Sequence, residues 1–393
     1  MTSKPPFGGE VIGDIAVGNL GKTQSGGTPS SKHSEYFGGD IPWIGTTALN
    51  GGVLDESNAV KFITEDAVEH SATKIVPAGS IMVGVRVGVG KVAVNSVPMC
   101  TSQDIVSIIG VDEQLWNKEY ISYAIQYKAP RLAAQAQGAT ITGITSKALK
   151  AVTIPVREKS SQDQIVWTLN YLKELLLLSE QRLAKLDTLV KSRFVEMFGG
   201  SSLATRTIGE LATDIRYGTS KKSSDEGRYT YLRMNNMTDD GRLDFADTKR
   251  ITLDGSELDK CLVHKGDLLF NRTNSREKVG KTAVFEEDEP MVIAGYIIRV
   301  RLVPDIRSRY LCAYMNLPHV KEQLRAMAKG AVHQANINAK QLGSIQVPVP
   351  RISQQDEFIS FVSRVDKLRV EAQAQKEKLQ TLYDSLAQDY FAI

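Results

Sequence analysis

The sequence predicts an α+β protein built as a tandem duplication: two mixed α/β domains, separated and followed by long helices that pair with each other as a coiled coil. Three observations predict it. The chain aligns with itself at an offset of 193 residues. Each copy closes on a long heptad pattern, which needs another helix to cover it. A polar joint, Gly199-Gly200-Ser201-Ser202, stands between the copies. At 393 residues the chain is also longer than one hydrophobic core usually supports.

The repeat is clearest at the end of each copy. Residues 154–198 align with 347–391 without a gap, with 12 identities in 45 pairs, where unrelated sequence would give about 3. IPV at 154–156 answers VPV at 347–349, and KLDTLVKSRFVEMF at 185–198 answers KLQTLYDSLAQDYF at 378–391. Upstream, with small insertions, VGNLGKTQSGGTPS (17–30) answers IGELATDIRYGTS (208–220), and IPWIGTTALNGGVLD (41–55) answers YTYLRMNNMTDDGRLD (229–244). VPAGSIMVGVRVGVGKVAV (76–94) answers VHKGDLLFNRTNSREKVGKTAV (263–284), pairing Gly79 with Gly266 and Arg86 with Arg272. A helical YISYAI (120–125) answers YLCAYM (310–315), and GATITGITSKALKAVTIPV (138–156) answers GAVHQANINAKQLGSIQVPV (330–349). The expected boundaries are a first domain over 1–156, a central helix over 157–200, a second domain over 201–350 and a C-terminal helix over 351–393.

Both helices open on S-x-x-D, Ser160 to Asp163 and Ser353 to Asp356, where a hydroxyl can cap the first amides and an acid suits the helix dipole. The first seam runs Ile165, Leu169, Leu172, Leu176, Ser179, Leu183, Leu186, Val190 and Arg193. The second runs Phe358, Phe361, Val365, Leu368, Ala372, Gln375, Leu379, Leu382 and Leu386. Each helix is the obvious cover for the other, and a short connection favours an antiparallel pair. At 1.5 Å per residue such helices make rods of roughly 55 to 60 Å.

Several fragments that suggest an enzyme do not hold. VGKT at 279–282 has Ser275 where a phosphate-binding loop needs its first Gly. A β-hairpin turn is the expectation there and at VGKV (89–92). KPPFGG at 4–9 has Lys4 where an amino-methyltransferase loop carries a carboxylate or amide, and reads as a terminal tail. Asp267 with Glu277 could be imagined holding magnesium, but the first copy has Ser80 and a deletion at the matching places. The five histidines and three cysteines fall in no ligand spacing. We therefore expect no catalytic residues and no metal site.

The expected compartment is the cytoplasm. Cys100, Cys261 and Cys312 lie far apart, as in reduced proteins, and no signal peptide or membrane span is legible. A net charge of +3 permits an acidic partner without demanding one.

Taken together, the IPV…S-x-x-D…KL-x-TL…S…F helix and the G-x-x…I-T/N-x-K-x-L-x-x-x-x-I/V-P-V segment before each helix resemble the DNA specificity (S) subunits of type I restriction-modification systems. The resemblance covers essentially the whole chain. It implies a non-catalytic subunit with two target recognition domains, each reading one half of a split double-stranded DNA sequence. The helices would set the unread gap and dock two methyltransferase (M) subunits, with restriction (R) subunits when present. S-adenosylmethionine, ATP and magnesium would belong to those partners and none to this chain, which would serve DNA methylation and phage defence. Leu172, Leu176, Leu183, Leu186, Leu189, Val365, Leu368, Leu379, Leu382 and Leu386 are then the spacer and docking candidates.

Base edges require forked donors and amides, so the DNA-contact candidates are such residues in loops beside strand ends. In the first domain these are Thr28, Ser30, Trp43, Thr46, Thr47, Arg86, Lys91, Thr140 and Thr142. In the second they are Tyr217, Thr219, Lys221, Arg233, Asn235, Asn236, Arg272, Asn274, Arg276, Lys281, His333 and Gln334. Two rival readings stay open: a coiled-coil scaffold that binds protein and not DNA, and an orphan or phase-variable specificity subunit. A self-sufficient restriction enzyme is disfavoured, because no methyltransferase or nuclease motif is legible.

Overall fold

The computed structural model describes residues 8–134, 143–200, 203–331 and 334–392. It divides into two compact units, residues 1–178 with 375–393, and residues 179–374. Each helix is 40 residues long, Lys159–Phe198 and Ile352–Phe391, and each contributes one end to either unit.

The duplication survives as strand order. In the first unit, one sheet runs Lys22–Ser25, Ile105–Ile109, Ile81–Gly84, Val92–Asn95, Val53–Leu54. A second runs Lys61–Ile63, Phe37–Ile44, Met99–Thr101, Ile75–Val76. The second unit repeats the first four strands of one order, with no described strand answering Val53–Leu54, as Ala212–Tyr217, Ile297–Leu302, Leu268–Asn271, Thr282–Val284, and the whole of the other as Lys249–Ile251, Tyr229–Leu232, Met291–Ile293, Leu262–Val263. Even the parallel pair recurs at the same place, Trp43 opposite Cys100 and Tyr231 opposite Val292. The central strands Ile81–Gly84 and Leu268–Asn271 are buried along their whole length, which is why they read as apolar runs and not as alternations. The VGK segments turn hairpins, as expected: Gly90 and Gly280 take φ of +80° and +85°, where a side chain would be strained.

The segment before each long helix also folds identically. Thr145 and Asn338 cap the short helices Ser146–Lys150 and Ala339–Gly343, their side chains accepting from the amides of Ala148 and Gln341. Leu149 and Leu342 are fully buried. The strands that follow, Thr153–Val156 and Gln346–Pro348, pair antiparallel with Gly13–Ala16 and Thr205–Thr207.

The long helices begin at Lys159 and Ile352, so Ser160 and Ser353 lie inside the first turn and not at its cap. The residue of S-x-x-D that matters most to the fold is the glutamine. Gln162 Nε2 donates to the carbonyls of Leu115 (3.0 Å) and Arg157 (2.8 Å), and its Oε1 accepts from the Asn117 amide (2.9 Å). Gln355 does the same with Asp305 (3.1 Å), Pro350 (2.9 Å) and the Arg307 amide (2.8 Å). Both glutamines are fully buried, so each ties the helix start to the domain that precedes it and leaves no amide group unsatisfied. Asp163 and Asp356 add bonds to Asn117 and Arg307 of the same segments. Tyr120 and Tyr310 complete the joint, donating to the carbonyls of Pro155 (3.0 Å) and Pro348 (2.9 Å).

The helix ends cross over. Phe391, which closes the second copy, packs on Tyr120 of the first unit with ring centroids 5.3 Å apart. Phe198, which closes the first copy, packs edge-on against Tyr310 of the second unit at 5.2 Å. In the second unit Asp187 pairs with Arg369 and Arg193 with Glu357 (3.2 Å). The partner number falls as the first rises, so the helices run antiparallel there.

The first predicted seam is buried or half-buried throughout, with Leu172 and Leu186 among its buried positions, while Leu189 lies off it at 44% exposure. The second departs from the prediction. Phe358, Val365 and Ala372 are buried and Leu379 and Leu386 half-buried, but Leu368 and Leu382 are exposed at 42% and 47%. The intervening inward positions are Val362, Arg369, Lys376 and Tyr383, one residue later than predicted. The C-terminal helix packs on a domain as well as on its partner helix, and the steps of four and three are taken in the opposite order.

Two outcomes are expected. Phe198→Ala and Phe391→Ala should each cost about 3 to 5 kcal/mol. By hydrogen exchange, the first should loosen only the second unit and the second only the first unit. The second outcome concerns Lys321, whose Nζ holds the Gly280 carbonyl of the hairpin at 2.7 Å. Burial pulls its pKa from 10.5 down to about 8, with Cys312 and Asp239 opposing and Arg325 and Lys191 adding to the shift. Its unfolded form binds the proton more tightly, so the stability penalty of its burial is relieved as pH rises from about 8 to 10.5. Thermal unfolding across that window should show the difference between the protein and Lys321→Met shrinking with pH.

Candidate nucleic-acid interface

In each domain the strand ends hand over to loops that are laced together by main-chain hydrogen bonds. In the second domain, Thr219 N donates to Ile293 O (3.0 Å), Gly295 N to Thr219 O (2.7 Å), Arg272 N to Tyr296 O (2.9 Å) and Ile337 N to Arg272 O (2.9 Å). In the first, Gly27 N donates to Thr101 O (2.9 Å), Val85 N to Asp104 O (2.8 Å) and Ile144 N to Val85 O (2.7 Å). An aromatic side chain braces each first loop. The Trp43 indole donates to Gly27 O (3.0 Å), and the Tyr231 hydroxyl donates to Thr219 O (3.2 Å) and Lys221 O (3.3 Å).

These bonds correct one pairing. Gly84 and Asn271 match, because their amides donate to Lys91 O and Lys281 O. The next residues, Val85 and Arg272, therefore match, and Arg86 stands opposite Thr273. Both arginines belong to the same loop but are one residue out of step.

Among first-domain candidates, Thr28, Ser30, Thr47, Arg86 and Lys91 are exposed. Arg86 lies 3.6 Å from Asp104, a loose pair. Thr46 is buried in a 3-10 turn. Thr140 and Thr142 lie outside the described residues.

In the second domain several candidates hold the fold. Thr219 is buried and donates to Glu257 (2.8 Å), which also pairs with Lys221 (2.6 Å). Both bonds, that to Lys221 first, hold the Glu257 carboxyl below its usual range. Arg233 binds the carboxylate of Asp247 at 2.9 Å, and Asn235 donates to the same carboxylate. Buried Asn236 donates to the carbonyls of Asp244 and Asp247. Lys281 donates to Met237 O (3.0 Å) and pairs with Asp239 (2.8 Å), whose pKa that bond lowers. Asn274 donates to Asn271 Oδ1 and accepts from the Ser275 amide. Exposed Arg276 has no ion pair among the described residues. Tyr217 and Arg272 are stacked on each other. Gln334 lies in the strand Gln334–Asn336, and His333 lies outside the described residues.

The structure adds Asn336, whose Oδ1 accepts from Arg272 Nη2 at 2.9 Å. The sequence offered a signal for it in QANIN, where the first copy has Gly143 at the matching place. It also adds Trp167 and Tyr171, exposed and stacked 5.5 Å apart on the central helix.

Asp267, half of the imagined magnesium site, is instead buried, accepting from the His264 amide (2.9 Å) and Arg301 (3.2 Å). Among the described residues no group of three or more His, Cys, Asp or Glu is placed to hold a metal, and no helix is long and apolar enough to cross a membrane.

Comparisons agree with this architecture. The chain matches the type I restriction modification DNA specificity domain twice, over residues 12–188 and 201–381. It is 33% identical over 163 residues to the type I restriction enzyme MjaIX specificity subunit of Methanocaldococcus jannaschii, covering 41% of this chain and 37% of that one. It is 36% identical over 157 residues to the EcoR124I/EcoR124II specificity subunit of Escherichia coli, covering 38% of each. These matches thus span under two fifths of the relatives' length. A longer match, 22% identical, links 83% of the chain to 75% of the EcoKI specificity subunit of Escherichia coli K12. In fold, the chain is similar over 100% of its length to 99% of the type I restriction-modification S subunit from M. genitalium, with a TM-score of 0.52 and 17% identity. It is also similar over 100% of its length to 99% of a chain from a study of complex assembly in the type I R-M system, with a TM-score of 0.62 and 15% identity. With two copies of the domain in tandem accounting for most of its length, the chain belongs to the type I restriction-modification DNA specificity family.

Proposed function

We propose that this chain is the sequence-specific DNA-recognition subunit of a type I restriction-modification complex and that it reads a split, bipartite target, one domain per half-site. The observation that carries the reading is one scaffold bearing two loop chemistries. Strand order, caps and helix joints repeat between the domains. The side chains on the laced loops do not: Ser25, Gly27, Val85 and Gly143 stand where Tyr217, Thr219, Arg272 and Asn336 stand in the other copy. A duplicated frame with divergent loop ends suits two readers of different half-sequences better than one repeated binding site.

On this reading the long helices set the length of the unread gap and dock two methyltransferase subunits, and restriction subunits when present, in the cytoplasm. Trp167 and Tyr171, exposed at 68% and 49%, support a protein-docking role for the central helix. The chain itself supplies no catalytic group. S-adenosylmethionine, ATP and magnesium enter with the partners. DNA is held by candidates such as Lys91 and Arg276, which are exposed and have no ion pair among the described residues, and Arg86, exposed with only a loose 3.6 Å pair to Asp104.

Two measurements test this. The tagged chain, recovered from its native host, should bring a methyltransferase with it, and deleting its gene should abolish one split adenine-methylated motif. An unchanged methylome with no methyltransferase recovered would move the function to a protein scaffold without a DNA role. Insertion or deletion of a few residues within 172–185 should change the gap or impair assembly while leaving both half-sequences intact. A change in the half-sequences themselves would make the helices part of the reading heads.

A further inference from the structure

The second domain holds one arginine in an unusual way. The Arg272 main chain is bonded on both sides, its amide to Tyr296 O and its carbonyl to Ile337 N, each at 2.9 Å. Its guanidinium lies over the Tyr217 ring, 4.8 Å from the centroid, and Nη2 donates to Asn336 Oδ1 at 2.9 Å. The ring under it is itself fixed, because the Tyr217 hydroxyl accepts from the Ala339 amide at 2.8 Å.

The fold does not require this clamp. Val85 occupies the same place in the first domain and makes the same two main-chain bonds, with Ser25 in place of Tyr217 and Gly143 in place of Asn336. All three members are thus additions to a shared frame. Nor is the charge spent on the protein. Arg233, Arg299, Arg301, Arg307 and Arg369 each face a carboxylate, whereas Arg272 has no ion pair among the described residues. Nε is buried without a partner. That leaves Nη1 and one hydrogen of Nη2 as neighbouring donors with no partner among the described residues, on a side chain already held by a ring and an amide.

We propose that Arg272 is a specificity-determining residue that reads a guanine in the half-site of the second domain, donating to its O6 and N7 in the major groove, and that Tyr217 and Asn336 are its positioning residues. Guanine is the base whose major-groove edge offers two adjacent acceptors to such a fork. A fixed guanidinium loses little side-chain freedom on binding, which sharpens discrimination at that one position. In the first domain Arg86 lies against Gly143, the position matching Asn336: a Cβ added there would meet Arg86 Cγ at 3.0 Å. Arg86 is half exposed, has no ring beneath it among the described residues and is paired only loosely with Asp104 at 3.6 Å, so it lacks the clamp that holds Arg272.

This inference rests on the specificity-subunit reading, and the experiment separates the two. The chain is assembled with its methyltransferase subunits, and methylation is measured on duplexes carrying every single-base change in both half-sites. Arg272→Val and Tyr217→Ser introduce residues that the first domain already carries at these places, and so does Asn336→Gly. Arg272→Val should relax one G·C position of one half-site by about tenfold to a hundredfold, leaving every other position unchanged. Arg272→Lys should relax it too, since a point charge lacks the fork, and Tyr217→Ser and Asn336→Gly should relax the same position less. Equal weakening on all sequences, repaired by Arg272→Lys, would make the contact a phosphate and overturn the proposal. An unchanged preference with lowered thermal stability would reduce the clamp to a structural role. Absence of any split methylated motif with the unmutated chain would overturn the specificity-subunit reading itself, and the clamp with it.

Discussion

Phe198 and Phe391 are the constraint on which this architecture depends. A helix of 40 residues begins on the domain that precedes it, tied by a buried glutamine, and must end in an aromatic socket. That socket is built by the tyrosine of the other copy, Tyr310 for Phe198 and Tyr120 for Phe391. Phe194 and Phe358 extend it in the second unit, with Phe194 5.0 Å from Phe198 and 5.3 Å from Phe358. Each tyrosine also bonds the strand that leads into its own helix, so one side chain serves the start of one helix and the end of the other. Neither copy completes its core without a helix end from its sibling. This is why the chain writes nearly the same ending twice.

The same economy explains how the two domains can differ in the side chains on their loops. Glutamine bridges, helix caps and recurring strand pairings supply what the frame needs, and the two buried glutamines satisfy their amide groups on main-chain partners. The loops are laced by main-chain bonds that any residue can make. Side chains there can change without disturbing the frame, as Val85 and Arg272 do while making identical main-chain bonds.

Much of the candidate interface was not legible because residue type does not reveal a partner. Thr219, Arg233, Asn236 and Lys281 have the chemistry that reads bases, yet each is occupied by a carboxylate or carbonyl of its own domain. Asn336 differs from nearby Gln334 only through its contact with Arg272, which no local pattern announces. The one-residue offset of Arg86 from Arg272 hides inside an insertion, and in an extended segment a slip of one residue turns a side chain to the opposite face.

By itself, the sequence determined the duplication, the two α/β domains, the two long heptad helices and the family. These follow from local spacing, from self-similarity, and from apolar periodicity that any fold of this chain must bury. Tertiary structure alone decided which domain receives each helix end, and that Val362, Arg369, Lys376 and Tyr383 turn inward on the C-terminal helix where Leu368 and Leu382 do not. It also decided that Gln162 and Gln355 anchor the helix starts more than the neighbouring serines. A heptad states that a face must be covered; only packing against a second surface selects what covers it and which of two adjacent positions points there.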